Sequence, residues 1–169
     1  MQEKIDEALK VIDWIYDQLD GLPVKHELHI PCARYYISMQ HANGALALLR
    51  LNSPTPAFAL ARPIYETFMR SIWYSHKASE DERERAQNDD FPTLSKIVKS
   101  LEDDPAATNI IKQYENINVL HSYTHGGSYQ ILNHIGGTNL KPNFDEKEVL
   151  ILIDWSLRLA IACSFQFCH

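Results

Sequence analysis

Side chains that can transfer protons recur at helical spacing near the end of one predicted helix. At about 100° per residue, they fall within roughly a 60° arc of one face: Tyr114, Asn118, His121 and His125. Gly126-Gly127 then indicates that the helix stops just past them. Such groups are costly to bury without hydrogen bonds, and histidine changes its charge near neutral pH. The pattern predicts a site for acid–base chemistry or, as a second interpretation, two half-exposed histidines that cap the carboxyl end of the helix.

A second candidate group is a row of charges on an earlier helix. Arg62, Glu66 and Arg70 follow one another at four-residue intervals, so one carboxylate lies between two guanidinium groups. Such a row is commonly exposed and contributes little to stability. If it faces inward beside an aromatic stripe, Glu66 would instead orient an arginine toward an anionic ligand, because the planar guanidinium group matches phosphate.

The histidines also allow a metal site as an alternative. His121 and His125 have the i,i+4 spacing of two ligands from one helical turn, and His41 on an earlier helix could be the third, with a position open for water. This set is similar to the three-histidine pattern of the DinB-like bundle family. Di-iron chemistry of the ferritin type is not expected, because the chain has no Glu-x-x-His sequence.

Composition limits the kind of protein and its partners. A chain of 169 residues suits one domain, and 45% hydrophobic with 22% charged residues is ordinary for a globular fold. The formal charge of −6 argues against nucleic-acid binding through a broad basic surface, although a local basic pocket is compatible with it. Three cysteines without C-x-x-C spacing indicate neither disulfides nor zinc and favour a reducing cytoplasm.

No targeting or membrane segment is expected. The N-terminus is charged and lacks the apolar stretch of a secretion signal. Residues 149–168 are apolar but include Asp154 and Arg158, and charges at the centre of a spanning helix are costly. A buried core or dimer-interface helix is the better interpretation of this segment.

Periodicity predicts an all-α protein: a four-helix bundle with an extra N-terminal helix and a short helical insertion. Residues 1–169 form one domain, with the N-terminal helix over 1–22 and the bundle over about 30–169. Pro63 lies two turns inside the pattern of the third helix, so that helix begins there or kinks. The charged stretch 79–90 is expected to be a solvated connection or a short surface helix.

At these positions the chain resembles a known family. Asn118-x6-His125 followed by Gly-Gly is similar to the [R/N]-x4-6-H motif of the HEPN superfamily. The segment Arg62-Pro-Ile-Tyr-Glu66-Thr-Phe-Met-Arg70 resembles an R-x3-E segment of its uncharacterised bacterial, abortive-infection-like branch. The resemblance covers about residues 30–169. It implies a helical homodimer whose motifs face each other and, in active members, a metal-independent endoribonuclease.

Carried over to this chain, the resemblance implies that His125 is the general base or acid and that Asn118 positions the scissile phosphate. Asn118 replaces the commoner arginine and removes a positive charge, so Arg62 or Arg70 would have to supply it. RNA cleavage without a metal needs proton transfer and charge stabilisation. His121 and His125 could transfer the protons, and Tyr123 or Arg62 could stabilise the charge.

The sequence therefore predicts a HEPN-like, cytoplasmic homodimer that cleaves RNA or binds RNA or nucleotides, in phage defence or a toxin–antitoxin-like system. We expect catalytic roles for Asn118, His121 and His125. We expect Arg62, Glu66, Arg70 and Tyr123 to bind substrate. No metal or other cofactor is expected, and the sequence does not indicate a protein partner.

Overall fold

The computed structural model describes residues 1–113, 117–136, 139–140 and 142–167, without the side chains of residues 113, 117, 118, 136, 139 and 140. The long helices are α1 (Gln2–Leu19), α2 (His29–Arg50), α4 (Ala61–His76) and α10 (Glu146–Phe165). The shorter helices are α3 (Pro54–Ala59), α5 (Glu80–Gln87), α6 (Leu94–Ser100), α7 (Pro105–Gln113), α8 (Ile117–Thr124) and α9 (Ser128–Leu132). A 3-10 turn spans His26–Leu28. The predicted all-α fold is confirmed.

Helix α1 shares the main core and is not an appendage. Its apolar residues recur every three or four positions, which places them on one face. The buried members of this face are Ile5, Ala8, Leu9, Ile12 and Ile15. They pack against α2 and α10 and belong to the same hydrophobic cluster as the rest of the protein.

Helices α2, α4 and α10 form the centre of the bundle. The apolar stripe beside the charged row is buried and runs from Phe58 of α3 to four residues of α4: Ala61, Tyr65, Phe68 and Ile72. Small residues of α2, among them Ala42 and Ala45, are fully buried and let α4 approach closely. Helix α10 contacts α1, α2 and α4 of its own chain. Most of its apolar residues are therefore covered within one subunit, whereas Ile151 and Phe165 are exposed.

Local signals set the helix ends near the site. Pro63 lies in the first turn of α4, where a missing N–H costs no hydrogen bond, so the helix begins there and is not kinked. Asp145 caps α10, its carboxylate accepting a hydrogen bond from the backbone N–H of Lys147 at 2.9 Å. Ser79 and Glu82 form a capping box at the start of α5, the surface helix in the charged stretch.

Helix α8 positions the histidines and packs against α3 and α4. Gly126 has a φ of 67°, the left-handed conformation that ends helices, and the N–H of Gly127 donates to the carbonyl of Ser122 at 2.8 Å. A Cβ at Gly127 would lie 2.5 Å from the Ser122 Oγ. The Gly-Gly pair therefore fixes where α8 stops and where α9 starts.

The connection to α10 contains the only described strands. Strands β1 (Ile135–Gly136) and β2 (Asn139–Leu140) pair antiparallel. Two-residue strands are too short to show alternation, which is why the sequence predicted an irregular link here. Among the described residues, no helix combines the length and apolarity needed to cross a membrane.

Candidate functional site

The charged row of α4 and the histidine face of α8 meet across the helix interface. The Arg62 guanidinium Nη1 contacts the Nδ1 atom of His121, although the two residues are 59 positions apart in the sequence. Since α4 and α8 pack side by side, the side chains that the sequence suggested separately form one surface. We call Arg62, Glu66, Arg70, His121 and His125 the Arg–His site.

Glu66 holds both arginines of the row. Its Oε2 lies 3.3 Å from Arg62 Nε, and its Oε1 lies 2.5 Å from Arg70 Nη2. The three side chains are 25%, 22% and 32% exposed in the order of the sequence, so the row is neither buried nor fully solvated. Two guanidinium groups and one carboxylate give it a formal charge of +1. This geometry matches the interpretation in which Glu66 orients Arg62, because the oriented arginine reaches a histidine.

The contact with Arg62 favours the neutral form of His121. Because a guanidinium group can only donate, the Nδ1 of His121 accepts in this contact, which leaves Nε2 to carry the proton of the neutral ring. Partial desolvation, then the charges of His125 and Arg62, lower the pKa of His121, although the side chain remains exposed. In this arrangement the Nε2–H of His121 is the donor left for a ligand.

His125 is the freer of the two histidines. Its backbone N–H donates to the carbonyl of His121 at 3.1 Å. Its ring lies beside that of His121, with centroids 4.4 Å apart, and forms no hydrogen bond with the residues that the structure describes. Two other predicted members of this face, Tyr114 and the side chain of Asn118, lie outside the described residues.

Tyr123, which the sequence predicted to bind substrate, does not join the Arg–His site for a geometric reason. Two positions beyond His121, it lies about 200° around the helix. Its ring is buried and packs 4.9 Å from that of Phe58. Its hydroxyl donates to Glu148 at 3.4 Å and accepts from Asn133 at 3.2 Å. Burial raises the pKa of Tyr123 to about 12, so the phenol stays protonated.

The three-histidine metal site is not assembled. His41, His121 and His125 are all described, and within the described ranges no three or more His, Cys, Asp and Glu side chains are arranged to hold a metal ion. Burial lowers the pKa of His41, which is half-buried on α2. Of the two histidines on α8, His121 contacts Arg62.

The structure adds two residues that the sequence did not suggest, Arg34 of α2 and Phe91. The guanidinium carbons of Arg70 and Arg34 lie over the Phe91 ring, 4.5 and 4.6 Å from its centroid. The three side chains come from α4, α2 and the segment between α5 and α6, so no spacing in the sequence joins them. The only feature of the sequence that could have pointed to Arg34 is that this charged residue lies on α2, a helix with many buried residues.

The comparisons with known proteins give a family without an activity. A family model described as "Family of unknown function (DUF6988)" matches residues 35–154, which is more than half of the chain. Searches of curated proteins and of solved structures found no significant match. The matched range contains the whole Arg–His site.

Proposed function

We propose, for a chain that belongs to the DUF6988 family of unknown function, that the Arg–His site binds the phosphate backbone of RNA and cleaves it without a metal ion. One observation carries the proposal: Arg62, held by Glu66, contacts His121 beside the free imidazole of His125. The site thus combines a fixed cation with an acid–base group. These are the two components that metal-independent phosphodiester cleavage requires.

Phosphate is the ligand that suits these donors best. The Nε of Arg62 donates to Glu66 and its Nη1 contacts His121, which leaves Nη2 and the second N–H of Nη1 for a ligand. Arginine binds phosphate oxygens through such N–H donors. The Nε2–H of neutral His121 adds a donor to the same surface. The row has a formal charge of +1 within a chain of −6, so the positive potential is local.

In the proposed reaction His125 carries the proton. Its imidazole takes the proton of the RNA 2′-hydroxyl as the 2′-oxygen attacks phosphorus, and the resulting imidazolium returns that proton to the leaving 5′-oxygen. The P–O5′ bond breaks, and the products are a 2′,3′-cyclic phosphate and a 5′-hydroxyl. Arg62 and the His121 N–H stabilise the negative charge that develops on the phosphate oxygens.

The proposal includes the HEPN-like identity that the resemblance implies, with action in the cytoplasm as a homodimer. Exposed apolar side chains follow the histidine face directly and support a second copy there. They are Tyr129, Ile131, Leu132 and Ile135, which are 50%, 56%, 62% and 48% exposed. Light scattering should report a dimer at micromolar concentration, and a monomer would remove the homodimer from the proposal.

The acidic balance supports a second form of the same proposal, an RNA-binding module that does not cleave. In that form the arginines bind the backbone, and His125 is not used for proton transfer. Variants of the two residue types separate the two forms. Arg62→Gln should weaken RNA binding in both, whereas His125→Ala should have a phenotype only if the protein cleaves.

The decisive experiment measures cleavage of a labelled oligoribonucleotide in the presence of EDTA. His125→Ala should abolish cleavage and leave the thermal unfolding curve unchanged, because alanine cannot transfer a proton. His26→Ala is the matched control, since His26 is also exposed and its ring lies 5.3 Å from that of His29. Undiminished cleavage by folded His125→Ala protein, after contaminating nuclease has been excluded, would sink the nuclease proposal.

A further inference from the structure

Two arginines converge on one aromatic ring at the end of the Arg–His site. Arg70, the last member of the charged row, and Arg34 of α2 lie over Phe91 at 4.5 and 4.6 Å. Arg34 also lies 5.9 Å from the ring centroid of Tyr74, and its Nη2 donates to the Ala86 carbonyl at 3.2 Å. The rings and this carbonyl hold the guanidinium group of Arg34 in one place.

These cations exceed the carboxylates that neutralise them. Glu66 has one oxygen for Arg62 and one for Arg70, and Arg34 forms no ion pair with a described residue. The Nε atoms of Arg34 and Arg70 are buried and have no hydrogen-bond partner in the described structure. Partial burial, then the charge of Arg70, lower the pKa of Arg34, and the Asp89 carboxylate only partly offsets this effect.

We infer that Arg34 and Arg70 form a second phosphate subsite beside the Arg–His site, so that the protein takes an oligonucleotide and not a mononucleotide. This inference rests on the proposed function, because it names the substrate class of that site. A phosphate group placed between the two guanidinium groups would supply the negative charge that the described residues do not provide.

The spacing indicates that the two subsites hold different phosphates of one strand. Residues 62 and 70 are eight positions apart on one helix, which is about 12 Å along its axis. The Glu66 carboxylate, which contacts both arginines, lies between their guanidinium groups, so a phosphate at Arg62 and a phosphate at Arg70 lie on opposite sides of it. A nucleic-acid strand that follows α4 would place one phosphate at Arg62 and His121 and a later one at Arg34 and Arg70.

The subsite ends at Phe91. A cleft of about 400 Å³ adjoins this ring on the side of α5 and α6. Arg85 and Lys96 line it together with Glu82 and Asp90, so its formal charges cancel. A phosphate gains no net attraction from this cleft, which limits the proposed track to the surface from His125 to Arg34.

The test compares ligands with one phosphate and with several. Binding is measured by calorimetry with 2′-O-methyl UpU, which has a single phosphate, and with the 2′-O-methyl tetranucleotide, which has three; neither can be cleaved. Arg34→Gln should leave UpU binding unchanged and weaken tetranucleotide binding by about tenfold or more, because a hydrogen-bonded charge pair is lost. The dependence of log K on log salt should become shallower by about 0.7 for that ligand.

Three further variants make the result decisive. Arg62→Gln should weaken both ligands, since it acts at the first subsite. Arg50→Gln removes an exposed cation from the far end of the same helix α2, where it pairs with Asp6 at 3.3 Å, and should change neither. Arg34→Lys keeps the charge and should keep the salt slope, which separates loss of a phosphate contact from loss of packing if Arg34→Gln is unstable.

The outcomes distinguish the two proposals. If Arg62→Gln weakens both ligands and Arg34→Gln binds the tetranucleotide like the wild type, the second subsite is refuted and the proposed function stands. If Arg34→Lys loses the salt slope as well, Arg34 is a packing residue and the subsite is again refuted. If the wild-type protein binds neither ligand, the proposed function fails, and the subsite fails with it.

Discussion

Glu66→Gln separates the two roles that we assign to the charged row, which are to attract phosphate and to hold Arg62 against His121. The substitution keeps the shape of the side chain and raises the formal charge of the row from +1 to +2. It leaves one amide oxygen where two carboxylate oxygens had paired with the arginines, at 3.3 Å for Arg62 and 2.5 Å for Arg70. One arginine must therefore lose its acceptor.

The stability cost should be modest. Each ion pair is about a quarter exposed, and such pairs contribute about 0.2–1 kcal/mol. Loss of both should cost about 0.5–2 kcal/mol, which lowers the melting temperature by roughly 2–4 °C per kcal/mol in a domain of this size. Asp154→Asn is the control, since it breaks an i,i+4 pair with Arg158 on the exposed face of α10.

Cleavage by Glu66→Gln should then fall without a loss of binding. The added positive charge should maintain or strengthen oligonucleotide binding, whereas a displaced Arg62 should slow single-turnover cleavage by about 10- to 100-fold. Anisotropy and a saturating cleavage assay on the same preparations measure the two effects. If binding and cleavage fall together, or if neither changes, Glu66 does not position Arg62 and the reasoning is refuted.

Three other results are expected. Gly127→Ala should destabilise the protein by about 1–3 kcal/mol in denaturant unfolding, because its methyl group would lie 2.5 Å from the Ser122 Oγ. Gly44→Ala lies inside a helix, where its methyl group would contact the Leu60 Cδ1 at 3.4 Å, and should stabilise the protein by about 0.5–1 kcal/mol; equal signs would contradict both expectations. Tyr123→Phe should lower the free energy of unfolding by about 0.5–1.5 kcal/mol and leave cleavage unchanged. Loss of cleavage at unchanged stability would instead mean that Tyr123 acts in the reaction. The pKa of His121 is lowered in the folded chain, so acidification through about pH 6.5 should protonate this histidine first in the unfolded chain and reduce the stability of the fold. Arg62→Gln should raise the pKa of His121 in an NMR titration. An unchanged pKa would mean that the Arg62 cation does not act on the ring.

Most of the fold could be predicted because its signals are local. The apolar period of α1, the proline in the first turn of α4 and the Asp145 cap of α10 each depend on a few neighbouring residues. What covers α10 could not be predicted, since an apolar surface packs equally well against its own chain or a partner. The structure shows its own chain in that place.

The candidate site was predicted in parts and not as a whole. Spacing alone grouped Arg62 with Glu66 and His121 with His125. The contact between the two groups depends on how α4 and α8 pack, which no local pattern reveals. Tyr123 is a different case, because the 100° rule that grouped the histidines also places it on the opposite side of α8.

The acidity of the chain determines how RNA recognition would have to work. At physiological salt the Debye length is about 8 Å, so most of the acidic residues that give the net charge of −6 are screened from the Arg–His site. The local cations then decide binding: three arginines and one glutamate leave a formal charge of +2 from Arg62 to Arg34, which the nearby Asp89 carboxylate partly offsets. Two phosphate contacts imply a shallow salt dependence, with a slope of about −1.4 for a single strand. A much steeper slope would mean that RNA binds to a surface other than the one proposed.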